Sequence, residues 1–280
     1  MIVVTAASGA LGRLVVDRLL GRCPADRIVA AVRDPGGCAD LAARGITVRL
    51  GDYDDPSTLR TAFRGADRLL LISSPELDPD RRVGQHRNAV DAAVAAGVGS
   101  VVYTSFLGAD TQADGFTAAH HATERLLAAC GLPHTVLRHP FYSEAFLNPG
   151  LRAAVLSGEL LDGTGGRGIN TAFRGDLAEA AARVLTEDGH LGRAYDFTGE
   201  PWTYGRLARV LGDLSGKPVV RRDRQDRAPG AQGWLEDQVR AGALERRTGD
   251  LRHVLGHPPT TLDRAVTAIL SSPEGAAHTS

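Results

Sequence analysis

Hydrophobic and polar positions follow two repeating patterns in the first half of the chain. Short runs of Val, Ile, Leu and Ala without regular polar alternation are separated by longer segments in which apolar residues recur every three or four positions. Continuous apolar runs are typical of parallel strands covered on both faces. The pattern predicts strands at Ile2–Thr5, Ile28–Val32, Thr47–Leu50, Arg68–Ile72, Ser100–Thr104 and Thr135–Leu137.

The longer segments between these strands have the period of amphipathic helices. Helices are therefore predicted at Leu11–Leu20, Gly37–Ala43, Pro56–Phe63, Arg82–Ala96 and Ala118–Ala129. Strands and helices that alternate in this order predict an α/β fold with a doubly wound parallel sheet, that is, a Rossmann-like fold.

The regular alternation fades after Pro140 into Gly-rich stretches such as "LLDGTGGRGINTAFRGD". Helix and strand patterns resume at Leu177–Leu185, Ala194–Thr198, Tyr204–Leu214 and Val219–Arg221. We therefore expect a dinucleotide-binding domain and a small C-terminal α/β lobe that binds substrate, with a flexible tail at the end. The expected bounds are 1–142 with 170–198 for the domain, 143–169 with 199–270 for the lobe, and 271–280 for the tail.

Composition and charge exclude several classes of function. The 280 residues carry a net charge of -1, which does not provide the clustered positive charge that nucleic acids and membrane surfaces require. Cys23, Cys38 and Cys130 are scattered without metal-ligand spacing, so no metal site is predicted. The chain has neither an export signal at Met1 nor an apolar run of the ~20 residues that span a bilayer, and we expect a cytoplasmic location.

The stretch "VTAASGALG" at residues 4 to 12 combines a strand, a turn and the start of a helix. Backbone N–H groups in this arrangement can bind a pyrophosphate, although an ordinary turn with incidental glycines is the alternative. Gly9 would let the phosphate approach, and Gly12 would let the helix pack on the strand. Ala6 stands where the first glycine is usual, and we expect it to adopt a negative φ. The cofactor-binding residues expected here are Thr5, Ala7, Ser8, Gly9, Ala10, Leu11 and Gly12.

The ends of the second and third predicted strands indicate which dinucleotide is bound. Arg33 closes the second strand, where an acid would select NAD, and a guanidinium suits a 2′-phosphate, so NADP(H) is expected. The adjacent Asp34 would weaken that preference. Asp52 follows the third strand and is a candidate for contact with the adenine, whereas Asp54 or Asp55 would cap the next helix before Pro56.

Further blocks carry a resemblance to a known family. They are "VAAVRDP", "GITVRLGDYDDPSTLRTAFRGADRLLLISS", "QHRNAVDAAVAAGV", "VVYTSFLGAD", "HHATERLL", "TVLRHPFYSEAF" and "FRGDLAEAAARVL". Together with the turn, they resemble the NmrA-like branch of the atypical short-chain dehydrogenases, and most of all the bacterial NADPH-dependent quinone oxidoreductases of type 2. The resemblance extends from Met1 to about Leu270.

The resemblance implies roles for residues beyond the turn. It places Ser73 and Ser74 along the ribose, and a loop that contains Tyr142 over the nicotinamide. The chain has Ala145 where the quinone reductases commonly have asparagine, so it departs from the family's pattern at the expected acceptor pocket. The other residues that the resemblance places beside the cofactor are Tyr103, Thr104, Ser105, Pro140 and Phe141.

The proton-transfer pair of ordinary short-chain dehydrogenases is absent. That pair is Tyr-x-x-x-Lys, and the chain's single lysine, Lys217, is preceded four residues earlier by Asp213. A quinone needs less acid assistance than an isolated ketone, because its reduced product is a stabilised phenolate. The candidate catalytic residues are Tyr142 and His120, with His86 and His121 as further possible proton donors.

These observations favour an NADPH-dependent oxidoreductase that transfers hydride to a quinone or a similar conjugated carbonyl. One rival is a regulator that senses NADP(H) without turnover and binds a partner protein. A second is a tailoring enzyme that acts on an aromatic polyketide in secondary metabolism, since the Arg-rich and Lys-poor composition resembles that of high-GC bacteria. The expected partner is a small quinone or aromatic acceptor, and the resemblance also suggests a homodimer.

Overall fold

A computed structural model describes residues 1–113 and 115–271 of the chain. The predicted strands are all present in the predicted order, and five of them differ from their predicted bounds by one or two residues. The strands are β1 (Ile2–Thr5), β2 (Ile28–Val32), β3 (Thr47–Leu50), β4 (Arg68–Leu71), β5 (Ser100–Phe106), β6 (His134–His139), β7 (Glu159–Asp162), β8 (Ala194–Asp196) and β9 (Val220–Asp223).

The helices alternate with the strands through the first half and become more frequent after β8. They are α1 (Ala10–Leu20), α2 (Ala39–Ala43), α3 (Pro56–Phe63), α4 (Pro79–Ala95), α5 (Ala118–Ala129), α6 (Leu151–Ser157), α7 (Arg174–Thr186), α8 (Tyr204–Ser215), α9 (Gly230–Arg240), α10 (Asp250–Leu255) and α11 (Leu262–Ser271). No helix in the described ranges is long and apolar enough to cross a membrane.

Seven strands form a parallel sheet in the order β3-β2-β1-β4-β5-β6-β8. Ile2 pairs with Ile28 on one side and with Arg68 on the other, so the strand order reverses next to β1. In a doubly wound sheet this reversal opens a crevice at the carboxyl ends of the strands, where ligands bind. The Rossmann-like fold that the sequence predicted is confirmed.

The chain divides into two compact units. The first comprises Met1–His139 and Leu177–Phe197, and the second comprises Pro140–Asp176 with the chain from Thr198 onward. The chain thus passes from one unit to the other after residues 139, 176 and 197, where the sequence analysis expected boundaries after residues 142, 169 and 198. Of the expected tail, Ser271 is the last residue of α11, and 272–280 lie outside the described residues.

Each unit has its own apolar core. In the first, side chains of the sheet such as Val3, Leu69 and Val101 pack with Phe63 of α3 and Ala93 of α4. These side chains are almost fully buried, as expected for strands covered on both faces. The core of the second unit gathers apolar side chains of α6, α8 and α11, together with Trp202, and its small sheet pairs β7 with β9 in parallel.

Several sequence predictions need correction. Strand β3 is the edge of the sheet, so Thr47 and Leu50 are exposed and the expectation of burial on both faces is wrong there. Helix α4 begins before Arg82, at Pro79, because the carboxylate of Asp78 caps it by accepting the Arg81 N–H at 2.8 Å. The sequence analysis missed α6, β7, α9, α10 and α11.

Candidate functional site

The turn between β1 and α1 differs from the expectation at one residue. Ala6 has a φ of +47°, so the predicted negative φ is wrong. The left-handed residue turns the chain so that the Ala6 carbonyl accepts the Gly9 N–H at 3.0 Å. An alanine in this region of the Ramachandran plot is strained by about 1 kcal/mol relative to glycine. The tight turn is therefore formed without its first glycine, at a cost in stability.

Gly12 is the position in the turn that tolerates no side chain. A Cβ atom at Gly12 would lie 2.3 Å from the carbonyl oxygen of Ala6 and 2.7 Å from the Cα of Ala7. At Gly9, which has a negative φ and precedes the first helical residue, a Cβ atom would lie 3.3 Å from the same oxygen. Gly12 thus lets α1 pack against the turn, while Gly9 keeps the amino end of the helix open to a ligand.

A cleft of about 440 Å³ lies at the carboxyl ends of β1 to β4, within the first unit. Five of the residues predicted to bind cofactor line it, namely Ser8, Gly9, Arg33, Asp52 and Ser74. The remaining lining residues are Ala6, Gly51, Tyr53, Asp54, Pro75, Glu76, Leu77, Arg81 and Gln85.

Arg33 and Asp34 take different positions at the end of β2. Arg33 is exposed, lines the cleft and forms no ion pair with any residue that the structure describes. Asp34 accepts the Gly36 N–H at 3.0 Å, so its carboxylate is used in its own turn. The guanidinium of Arg33 is therefore available to an anionic group in the cleft.

The wall of the cleft after β3 and β4 was missed by sequence reasoning. Asp54 accepts hydrogen bonds from Gln85 at 3.0 Å and from Arg81 at 3.1 Å, and these bonds hold the pKa of its carboxyl below the usual value. Arg81 also pairs with Glu76 at 3.2 Å. The signal was the position of the stretches "DYDD" and "SSPEL" just after β3 and β4, at the carboxyl edge of the sheet where ligands bind.

The three aspartates after β3 have separate roles. Asp55 caps α3 by accepting the Ser57 N–H at 2.9 Å, which agrees with one of the two alternatives weighed for it. Asp52 lines the cleft, but one of its carboxylate oxygens accepts the Asp54 N–H at 3.0 Å. Its proposed contact with adenine stays a prediction.

Polar side chains beneath the β4–α4 loop form a buried cluster, here called the histidine cluster: His86, Tyr103, His120 and Thr123. The Tyr103 hydroxyl lies 3.0 Å from Nδ1 of His120, and Nδ1 of His86 lies 2.8 Å from the Thr123 hydroxyl. Tyr103, predicted to lie beside the nicotinamide, has no exposed surface. Its side chain supports the loop from within the core and does not line the described cleft.

The histidine cluster holds the backbone that leaves β4. Nε2 of His86 accepts the Ser74 N–H at 2.9 Å, and the hydroxyl of Thr104 accepts the Ser73 N–H at 2.9 Å. Because Nε2 of His86 is an acceptor, its Nδ1 carries the proton and donates it to Thr123. Ser73 and Ser74 are thereby fixed at the edge of the sheet, which is what a ribose-binding loop requires.

Burial keeps the histidines of this region uncharged. It lowers the pKa of His86 and that of His120 to about 3, with the charge of Arg82 adding to the effect in each case. His120 is therefore a neutral imidazole at neutral pH and can offer only its N–H as a donor. His121 lies outside the cluster, with Nδ1 2.7 Å from the Ala109 carbonyl oxygen.

Ser105, at the end of β5, belongs to an ion-pair network. Its hydroxyl donates to Glu124 at 2.6 Å, and Arg138 donates to the other oxygen of Glu124 at 2.7 Å. Arg138 also bonds to Asp196 at 3.2 Å, and these carboxylates raise its pKa. The network fixes the Ser105 side chain to α5 and β6.

Tyr142 belongs to the second unit. The Arg174 guanidinium lies 4.5 Å from the centre of its ring, and burial raises the pKa of its hydroxyl. The following residues form a short turn, Ser143–Ala145, in which the Ser143 hydroxyl lies 2.8 Å from that of Thr171. Phe141 contacts Trp234 edge to face with ring centres 5.8 Å apart. The predicted roles of Pro140, Phe141 and Tyr142 stay predictions.

No group of three or more His, Cys, Asp or Glu side chains in the described ranges is arranged to hold a metal ion. Cys23, Cys38 and Cys130 are unpaired thiols. The cleft is lined by the backbone at Gly9, the Ser8 and Ser74 hydroxyls and two arginines, Arg33 and Arg81, groups that are suited to phosphates and ribose.

Comparison with known proteins agrees with this geometry. A family model described as NAD(P)H-binding matches residues 6–188. Quinone oxidoreductase 2 of Escherichia coli is 39% identical, over 97% of this chain and 99% of that protein.

Two solved structures show the same fold with a bound cofactor. The crystal structure of the Escherichia coli NADPH-dependent quinone oxidoreductase complexed with NADPH is 39% identical, with a TM-score of 0.86 over 96% of this chain and 100% of that one. The Citrobacter sp. triphenylmethane reductase complexed with NADP(H) is 35% identical, with a TM-score of 0.90 over 96% of this chain and 99% of that one.

Proposed function

Because the chain belongs to the NAD(P)H-binding family, we propose that it is an NADPH-dependent oxidoreductase that transfers a hydride to a quinone or a similar conjugated carbonyl. The observation that carries the proposal is the cleft at the reversal of strand order, with a glycine turn on one side and an unpaired arginine on the other. The bound NADPH supplies the hydride.

The residues of the cleft fit this cofactor. The open backbone at Gly9 and the amino end of α1 would hold the pyrophosphate, because Gly9 has no Cβ atom and the first turn of α1 carries no acidic side chain. Arg33 would pair with the 2′-phosphate, since Asp34 is engaged in its own turn. Ser73 and Ser74 would lie along the ribose, where Thr104 and His86 fix their backbone N–H groups.

The polar groups behind the cleft suit an acceptor that needs little acid assistance. His120 is neutral at neutral pH, and the chain has no Tyr-x-x-x-Lys pair to protonate an isolated ketone. A quinone leaves a stabilised phenolate, which water can protonate. The chain then contributes mainly the alignment of cofactor and acceptor and the exclusion of competing reactions.

The proposal is tested by following nicotinamide absorbance while the protein and NADPH are mixed with a panel of quinones. We expect oxidation well above the rate without protein, and slower oxidation of NADH. No acceleration with any quinone would refute the proposed reaction. Tight NADPH binding without turnover, together with a partner protein recovered by affinity purification, would favour the sensing regulator.

Location, assembly and pathway belong to the proposal as well. We place the protein in the bacterial cytoplasm, supported by three unpaired cysteines, and we expect a homodimer, which light scattering of the purified protein would reveal. A role in secondary metabolism is supported only by the composition of the chain. Turnover of aromatic polyketide quinones in preference to simple benzoquinones would favour it.

A further inference from the structure

Arg82 is a partly buried cation that forms no ion pair with the residues that the structure describes. Its Nε–H group is buried and donates to no acceptor among the described residues, and the charge of Glu76 reaches the guanidinium only from beyond ion-pair distance. The nearby Glu76 pairs with Arg81 instead, at 3.2 Å. A desolvated charge without a counter-ion costs free energy, so a folded chain that keeps one has a use for it.

The fold directs Arg82 toward the carboxyl edge of the sheet. Arg82 and His86 are four residues apart on α4 and therefore lie on the same helix face, with Arg82 about one turn nearer the amino end. His86 on this face accepts the Ser74 N–H of the loop after β4 and belongs to the histidine cluster. The ring of His86 in turn lies 5.7 Å from that of Tyr103, so Arg82 is one helical turn from a residue of the cluster, and its charge helps to lower the pKa of His120.

An apolar, aromatic surface borders the same cluster. Phe106 and Phe116 meet edge to face with ring centres 4.7 Å apart, and their rings lie 6.0 and 6.3 Å from that of His120. Phe116 is partly exposed although it is a large apolar side chain. The aromatic rings of Phe106 and Phe116 and the guanidinium of Arg82 thus border the same cluster. Together they suit a flat conjugated ring that carries a negatively charged oxygen.

We propose that Arg82 binds the oxygen of the acceptor on which negative charge develops during its reduction. This inference rests on the proposed function. In the step, the acceptor gains a hydrogen nucleus and two electrons, and charge collects on its second oxygen as a phenolate. The hydride leaves NADPH, which becomes NADP⁺, and water later protonates the phenolate. Arg82 transfers no proton, because a guanidinium does not deprotonate in proteins, and it stabilises the charge where it forms.

The variant Arg82→Gln removes the charge and keeps similar length, and Arg87→Gln is the control, since Arg87 is exposed on the same helix. We expect Arg82→Gln to lower kcat/KM about 100-fold, mainly through kcat, and to leave the NADPH dissociation constant within about threefold. The loss should grow with the basicity of the phenolate across a panel of quinones, and Arg82→Lys should restore part of the rate. A merely structural role would lower all rates equally.

Binding of 4-nitrophenolate in the presence of NADP⁺ separates this inference from the proposed function, because it requires no turnover. The wild-type protein should bind the phenolate at least tenfold more tightly than Arg82→Gln, and Arg87→Gln should match the wild type. If quinones are reduced but neither the rates nor phenolate binding depend on Arg82, the inference is wrong and the reaction stands. If no quinone is reduced but phenolate binding depends on Arg82, the anion site stands and the proposed reaction is wrong. Weaker NADPH binding in parallel with the rate loss would assign Arg82 to the cofactor and overturn the inference.

Discussion

The turn after β1 and the histidine cluster both shape the edge of the same sheet, but they do so by opposite means. The turn requires a residue without a side chain, since a Cβ atom at Gly12 would lie 2.3 Å from the carbonyl oxygen of Ala6. The cluster depends on side chains that are present and buried, with His86 holding the Ser74 N–H and Tyr103 bonded to His120. The first leaves the backbone at Gly9 open to a ligand, and the second fixes the loop after β4.

The largest effect is expected from filling the turn. Gly12→Ala should lower the free energy of unfolding by about 2–3 kcal/mol and weaken NADPH binding more than tenfold, because only backbone atoms surround the new methyl group. Gly21→Ala is the matched control, since a Cβ atom there would lie 3.6 Å from its nearest neighbour. Urea unfolding and fluorescence titration with NADPH measure both effects. Equal behaviour of the two variants would show that the turn does not depend on close packing.

The charged side of the cleft gives the next largest effect. Arg33→Ala should weaken NADPH binding about 10- to 100-fold, the value of a charge-assisted hydrogen bond to phosphate, and change NADH binding less than threefold. Arg18→Ala, at an exposed position on α1, is the control. Titration of each variant with NADPH and with NADH measures the ratio of the two dissociation constants. An equal loss for NADPH and NADH would contradict the assignment of Arg33 to the 2′-phosphate.

The turn could be predicted from the sequence, whereas the histidine cluster could not. The turn is local, so Gly9 and Gly12 are recognisable within one short stretch, and β1, β2 and β3 have the predicted bounds. The histidine cluster joins residues that are 17 and 37 positions apart, and no local pattern shows which side chains meet. The positive φ of Ala6 was missed because alanine rarely adopts it.

The second unit was harder to predict for a related reason. Strand β7, which the sequence analysis missed, alternates between exposed and buried residues, so it lacks the continuous apolar run that marked most strands of the first unit. Helix α9 starts just after Pro229 at a glycine, without a side-chain cap, and carries the buried Glu236 among its core-facing residues. Neither feature matches the usual signals for the start or the inner face of a helix.

The buried histidines predict a dependence of stability on pH. Burial lowers the folded pKa of His120 to about 3, below that of about 6.5 in the unfolded chain. Between these values the unfolded chain binds more protons, so the free energy of unfolding falls as the pH drops below about 6.5. Each such histidine contributes up to about 1.4 kcal/mol per pH unit.

The variant His120→Gln tests this dependence, because glutamine keeps a polar group near Tyr103 but cannot titrate. When the free energy of unfolding is measured with urea at a series of pH values below 7, it should fall less steeply with pH for the variant than for the wild type. An identical slope would mean that His120 is protonated in the folded protein. His120 would then again be a candidate for an acid at neutral pH.

The smallest effect is expected at Ala6. Ala6→Gly should raise the free energy of unfolding by about 0.5–1 kcal/mol, because glycine accepts the left-handed conformation that strains alanine. It should change NADPH affinity less than about tenfold. Ala7→Gly is the control: Ala7 is buried without a positive φ, and its replacement should lower stability. A loss of stability in both variants would contradict the strain at Ala6.

The most direct test of the account is a single-turnover experiment with NADPH that carries deuterium at C4 of the nicotinamide. The protein is mixed with this cofactor and then with a quinone, and the decay of nicotinamide absorbance is compared with that of unlabelled NADPH. We predict a primary isotope effect and a rate far above that without protein, since the hydride passes directly to the acceptor. Binding of NADPH with no quinone-dependent decay would contradict the account.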